Sequence, residues 1–201
     1  MNLTLKGYRV DCVSPNERLT YYAKKLTGDK VRYYQCRLED LKCDEKYDLV
    51  LFSESFQYIP VDKGVPLALQ FLRPGGYIMV SDFFKNDPES KSKLGGGHRY
   101  DKWLQWKETF PIKTIIEKDI TAETSHTVDI FNRFTMEVVK PSWESLWALG
   151  EDRFSLLIKI VRRLYRKKLH KMEQKHFTGE RSGENFRKYK KYMFYLFQAE
   201  N

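Results

Sequence analysis

The sequence predicts an α/β fold built on a mostly parallel sheet, and three observations between residues 47 and 82 carry that reading. Residues 48–52, DLVLF, are an apolar run too hydrophobic on both faces for a half-exposed strand. Such strands lie in parallel sheets covered by helices. Val65, Ala68, Leu69 and Leu72 share one face of a short helix that must end before Pro74. Pro66 suits only a first turn, so this helix is expected to start near Gly64 or Val65. Gly75 and Gly76 then turn the chain into a second apolar strand at 77–80. The resulting right-handed strand–helix–strand unit points its strand ends, 53–57 and 81–83, at one crevice, where open α/β sheets bind ligands.

Other elements flank this unit. Residues 8–13 read as a strand, and Asn16 is placed to cap a helix running to about Leu26. Leu19, Tyr22, Ala23 and Leu26 form its apolar stripe. Residues 31–36 are the next strand. The polar stretch 86–97 ends in three glycines before His98 and reads as a loop; those glycines follow the wrong strand to cradle a phosphate. Residues 103–110 read as a helix, 112–117 as a strand and 192–197 as a closing strand. Between them the pattern is helical. Val128, Ile130, Phe131 and Phe134 mark one helix, and Trp143, Leu146, Trp147 and Leu149 a second. Phe154, Leu157, Ile158, Val161, Leu164, Tyr165, Leu169 and Met172 keep the i, i+3, i+4, i+7 rhythm of a longer third. The four tryptophans, Trp103, Trp106, Trp143 and Trp147, sit at helical spacing and are read as core.

The ordered set GYRVDCVSPNERLTYYAKKL, VRYYQCRLEDL and residues 47–82, with LRPGG ahead of the last strand, resembles class I S-adenosylmethionine-dependent methyltransferases of the small-molecule type. The resemblance covers roughly residues 7–120 and the tail strand near 190–198. It implies a Rossmann-like sheet with an antiparallel last strand and a helical lid inserted between strands six and seven. The core would be residues 1–120, the lid 121–187 and the last strand 188–201. It further implies S-adenosyl-L-methionine as cofactor and methyl transfer to a small organic or lipid-like acceptor. The family's first strand and its glycine-rich loop have no counterpart, because MNLTLKGYRV matches the first helix running into strand two. A missing central strand leaves backbone edges unpaired. Three explanations stay open: a truncated reading of a longer gene, a degenerate or regulatory relative, or a partner chain that supplies the missing piece.

The resemblance also places candidate residues. Ser14 stands where the family holds the ribose hydroxyls, in place of an acidic residue. Arg37 and Leu38 fill the adenine-loop positions, where Arg37 cannot accept a hydrogen bond from the base. Ser53, Glu54, Gln57 and Tyr58 follow strand four, with Ser53 and Gln57 assigned to the cofactor and Tyr58 to the substrate. Asp82 and Phe83 end strand five and are assigned to the substrate. Glu54 and His98 are the candidate acid–base groups. Positioning beside a reactive sulfonium supplies much of the rate, so no base is obligatory.

Composition narrows the alternatives. No apolar run approaches the about 18 residues of a membrane span. Cys12, Cys36 and Cys43 lack metal-site spacing and read as reduced thiols of a cytoplasmic protein, and no metal site is expected. The net charge is +9, and residues 151–201 hold 14 Lys and Arg against 6 Asp and Glu. That basic tail opens an RNA methyltransferase as an alternative, but the motif of base-modifying members is absent after strand four, so nucleic acid is disfavoured as a partner. Contact of the basic helix with an anionic membrane surface and a non-catalytic binding role are further alternatives.

Overall fold

Alternation along the longest strand sets the layers. In the computed structural model, which describes residues 3–86 and 94–200, β4 (Leu72–Lys85) buries Ile78, Val80, Asp82 and Phe84 on one face. Period-2 geometry sends the intervening residues to the other face. β3 (Tyr47–Ser53) pairs with β4 in parallel, and β6 (Lys190–Ala199) pairs with β4 antiparallel. β5 (Ile112–Asp119) adds antiparallel to β6, giving the order β3-β4-β6-β5. β1 (Val10–Val13) and β2 (Val31–Tyr34) form a separate parallel pair. The expected sheet is therefore mostly present but divided in two. Among the described residues β1 pairs only with β2, and β3 only with β4, so each has one edge without a paired strand.

The main core lies on the Ile78–Val80–Phe84 face. α2 (Val61–Phe71) contributes Val65 and Ala68, and α3 (Tyr100–Lys107) contributes Trp103. Trp103 is fully buried, stacks on Phe84 at 5.7 Å and meets Phe56, Tyr195 and Phe197 edge-on. Burial of such a ring is worth several kcal/mol, roughly 3–5 by truncation. On the opposite face, Leu94, Phe186 and Tyr192 gather with Phe83, Ile120 and Val128.

Several expectations need correction. α2 starts at Val61, not at Gly64, because Pro60 caps it and accepts from the N–H groups of Lys63 and Gly64; Pro66 thus lies inside the helix. Leu49 and Leu51 are about half exposed, since among the described residues no strand covers the free edge of β3. α1 (Glu17–Thr27) is capped by Asn16, whose side chain accepts from Leu19 N at 2.9 Å. Its stripe of Leu19, Tyr22 and Leu26 is nevertheless exposed, because a two-stranded sheet offers too little surface to cover it. Trp103 is core as expected, whereas Trp106 is exposed.

The stretch between β5 and β6 is helical, as expected. α4 (Thr121–Phe134) and α6 (Gly183–Tyr189) pack together, with Gly183 N donating to Asp129 Oδ1 at 2.6 Å. A Cβ on Gly183 would lie 2.5 Å from Ser125 O, so only glycine permits this approach. A π-helical turn (Thr135–Val139) leads from α4 into α5 (Lys140–His176), which breaks at Phe154 (φ −139°, ψ 48°). The chain doubles back there: Arg162 lies over the Trp147 ring at 5.0 Å and pairs with Glu151 at 2.5 Å. No residue of α5 is buried. Of the residues expected as a lid, 121–187, α4 and α6 pack beside β6 at the strand ends, while α5 stands apart as a helical hairpin.

Candidate functional site

The ends of β3 and β4 bring the predicted residues together in two groups, one on each face of the sheet. Asp82 shares the buried face of β4. Its Oδ2 accepts from Gln57 N (3.0 Å), and its Oδ1 accepts from Gln57 Nε2 (3.1 Å) and Phe83 N (2.8 Å). Burial, only partly offset by these donors, raises the Asp82 carboxyl above its ordinary value. Gln57 Oε1 in turn accepts from Gly97 N (3.1 Å). Both ends of the Gln57 amide are thus engaged within the protein. Gly97 has φ +82°, and a Cβ there would sit 2.6 Å from Phe83 O, so the loop closes tightly on β4. Lys190, buried at the start of β6, donates to Gly96 O (2.7 Å) and Gly95 O (3.3 Å). His98 Nε2 bonds Phe56 O at 3.0 Å. Its ring packs edge-on against Phe56. These contacts fix the loop from Leu94 to His98 as a structural clasp; the rest of the loop expected over 86–97, residues 87–93, lies outside the described residues.

Glu54 belongs to the other face. It follows β3 with φ +51°, the single non-glycine residue with positive φ among the described residues. Strain of this kind costs about 1–3 kcal/mol and persists only where surrounding structure enforces it. Here Glu54 N donates to Ser81 O (2.8 Å), and Tyr192 Oη donates to Glu54 Oε1 (3.0 Å). Ser81 Oγ donates to the same Tyr192 oxygen at 3.4 Å. Tyr192 is held from below as well: its N–H donates to Thr121 Oγ1 at 2.8 Å, at the first residue of α4. Burial and the Glu54 charge raise its phenol above the ordinary value. Ser53, next to Glu54 in the chain, is exposed, and so is Tyr58 at the end of the turn that follows. Glu54 and Asp82 still interact electrostatically, but the strand parity that buries Asp82 sends Tyr192 and Glu54 to the other side. The expectation that both carboxylates face one crevice is corrected accordingly. Asp82 serves the clasp, and Glu54 is the accessible carboxylate. Phe83 packs in the second apolar cluster and under the Lys190 ammonium, 5.2 Å from its ring.

Tyr192 was not singled out by sequence reasoning. Its signal was present: a tyrosine at the start of the closing strand, one strand away from the end of β3.

The sheet order β2-β1, then β3-β4-β6-β5, with parallel neighbours on one side and antiparallel ones on the other, decides the architecture. This is the class I S-adenosylmethionine-dependent methyltransferase fold. A family profile described as "Methyltransferase domain" matches residues 1–80. Solved methyltransferase structures superpose on it. A geranyl diphosphate methyltransferase in complex with SAM gives a TM-score of 0.66 at 15% identity, over 96% of this chain and 69% of that one. A putative sarcosine dimethylglycine methyltransferase from Galdieria sulphuraria gives 0.64 at 15% identity, over 94% and 69%. The StiE O-MT structure gives 0.59 at 17% identity, over 94% of this chain but only 59% of its own. The chain thus spans 59–69% of these neighbours' lengths. A comparison with curated proteins finds no match.

The geranyl diphosphate methyltransferase of this fold is solved with SAM bound, and the sequence resemblance assigns Ser14, Arg37 and Leu38 to the adenosine end of such a cofactor. In this fold the central strand lies between the equivalents of β1 and β3, the two strands with open edges. Across that slot, Tyr47 Oη donates to Asp11 Oδ2 at 2.5 Å, and Arg9 and Arg32 both pair with Glu45. At the adenosine end, Leu38 opens a short 3-10 turn after Arg37. Ser14 Oγ accepts from Asn16 N at 3.2 Å, which makes it a turn residue first. Gly96 and Gly97, the glycines that end the 86–97 loop, are closed against Gln57 and Phe83 and offer no cradle to the methionine end. Among the described residues no cluster suits a metal, and no helix is long and apolar enough to cross a membrane.

Proposed function

We propose that this chain is the acceptor-facing part of a cytoplasmic S-adenosyl-L-methionine-dependent methyltransferase that modifies a small organic or lipid-like molecule. The observation supporting this reading is the Glu54–Tyr192–Ser81 group, set at the strand ends beside exposed Ser53, with α4 and α6 packed on β6. A carboxylate fixed by a phenol and held on a strained backbone is suited to orient an acceptor hydroxyl or amine, or to take its proton. Methyltransferases of similar structure are named for small acceptors, geranyl diphosphate and sarcosine among them.

The closure of Gly96 and Gly97 against Gln57 and Phe83 favours a second reading, a non-catalytic relative that binds a nucleoside-like ligand as a regulatory signal. Titration with S-adenosylhomocysteine, followed by amide NMR, together with tritiated methyl transfer to small hydroxyl and amine acceptors, separates the two. The first reading expects shifts at Ser14, Leu38 and Ser53, and turnover that falls at least tenfold in Glu54→Ala. Shifts without turnover of any acceptor support the second reading. No shifts at millimolar ligand defeat both for this chain.

A further inference from the structure

We infer that the second arm of the α5 hairpin, residues 155–176, docks on an anionic membrane surface. The inference is independent of the proposed chemistry. This arm carries eight Lys or Arg (159, 162, 163, 166, 167, 168, 171 and 175) and one acidic residue, Glu173, a net of +7 within a chain of net +9. Its inner side is marked by the contacts that fold the hairpin. Ile158 Cδ1 lies 3.0 Å from the place a Cβ on Gly150 would take, and Arg162 is spent on Glu151 and the Trp147 ring. At 100° per residue, the opposite side is lined by two parallel rows. One is aliphatic: Leu156 (75% exposed), Ile160 (47%) and Leu164 (74%). The other is cationic: Lys159, Arg163 and Lys167, also exposed. Leu157 and Phe154 extend the apolar row around the kink, where the hairpin tip forms a shallow hollow lined by Phe154, Ser155, Leu156, Leu157 and Ile160.

The pairing of rows identifies the occupant. Exposed leucines at this density are costly in water and gain from contact with acyl chains, while the adjacent ammonium and guanidinium groups meet headgroup phosphates. Each such cation near an anionic bilayer adds to the attraction. A nucleic acid would use the cations but has nothing to offer an aliphatic row, and the arm presents one aromatic, Tyr165, for base stacking. A second copy would set one +7 face against another. Because no helix among the described residues can cross a bilayer, the arm lies on the surface.

Co-sedimentation of the full chain with phosphatidylcholine vesicles, with and without about 30% phosphatidylserine, tests the inference. Binding is expected with the anionic vesicles only, at least tenfold weaker at about 500 mM than at about 50 mM salt. K159E/R163E/K167E should lower affinity about a hundredfold or more. L156S/I160S/L164S should lower it at least tenfold. All six positions are exposed, so circular dichroism and melting temperature should be unchanged. Failure to pellet with anionic vesicles overturns the inference. So does indifference to the aliphatic substitutions with retained binding to a duplex oligonucleotide, which assigns the arm to nucleic acid. Self-association of the wild-type chain that those substitutions abolish would assign the rows to a second copy instead.

Discussion

At the scale of residues, two carboxylates a few positions from strand ends have opposite assignments. Glu54 sits at φ +51°, where glycine carries no Cβ penalty. Glu54→Gly should therefore be more stable than Glu54→Ala by about 1 kcal/mol, reversing their usual order outside turns. Urea unfolding of the two variants measures this directly. Asp82 makes a different case. Burial raises its carboxyl, so protonation favours the folded state. Its stabilising contribution is fully present below the ordinary carboxyl value, at about pH 4, and is lost as pH rises through the raised native value. Asp82→Asn, which cannot titrate, should flatten the fall of stability between about pH 4 and 7 relative to the wild type. Parallel slopes for the two proteins across that range would show that Asp82 does not titrate there. The residue chemistry also shows what a linear sequence withholds. Asp82 reads as a crevice residue because it follows an apolar strand, yet its parity with Ile78, Val80 and Phe84 puts it inside, where Gln57 and Phe83 consume its lone pairs.

At the scale of elements, the β1–β2 pair is the weak unit. Two strands without a covering face are marginal on their own, and α1 leaves most of its apolar stripe in water. The link from Tyr47 Oη to Asp11 Oδ2 ties this pair to the entry of β3. Arg32 and Tyr47 together outweigh the burial that would otherwise raise the Asp11 carboxyl, and hold it below its ordinary value. Tyr47→Phe removes one hydrogen bond to a charged group, worth about 1.5–3 kcal/mol. Hydrogen exchange should quicken at residues 10–13 and 31–34 while β4 and β6 stay protected. Equal acceleration in β4 would mean that the two sheets unfold as one. The elements themselves were largely legible. Asn16, the alternation of β4 and the glycine turn before it each carry a local physical signal. The exposure of Leu49, Leu51 and the α1 stripe was not, because burial depends on neighbours that local periodicity does not name.

At the scale of the whole molecule, two bodies of unlike stability and one outlying hairpin share a chain. Denaturation should proceed in two steps, with loss of the β1–β2 unit at lower urea than loss of the Trp103 core; tryptophan fluorescence and far-UV circular dichroism should give different midpoints. Coincident midpoints would argue for a single cooperative unit. The overall architecture was legible from the strand–helix–strand unit and its resemblance to methyltransferases. The independence of α5 was not, since its rhythm of Phe154, Leu157, Leu164 and Tyr165 matches that of a helix packed on a core. Amphipathicity announces that a face wants covering and leaves the cover unspecified.

The bare sides of β1 and β3 have a further consequence. Among the described residues no strand pairs with either edge, and Leu49 and Leu51 of β3 are half exposed, which is the template on which extended chains recruit one another. Purified alone and concentrated, this polypeptide should drift toward β-rich multimers, seeded at the notch and slowed by whatever ligand or segment fills it.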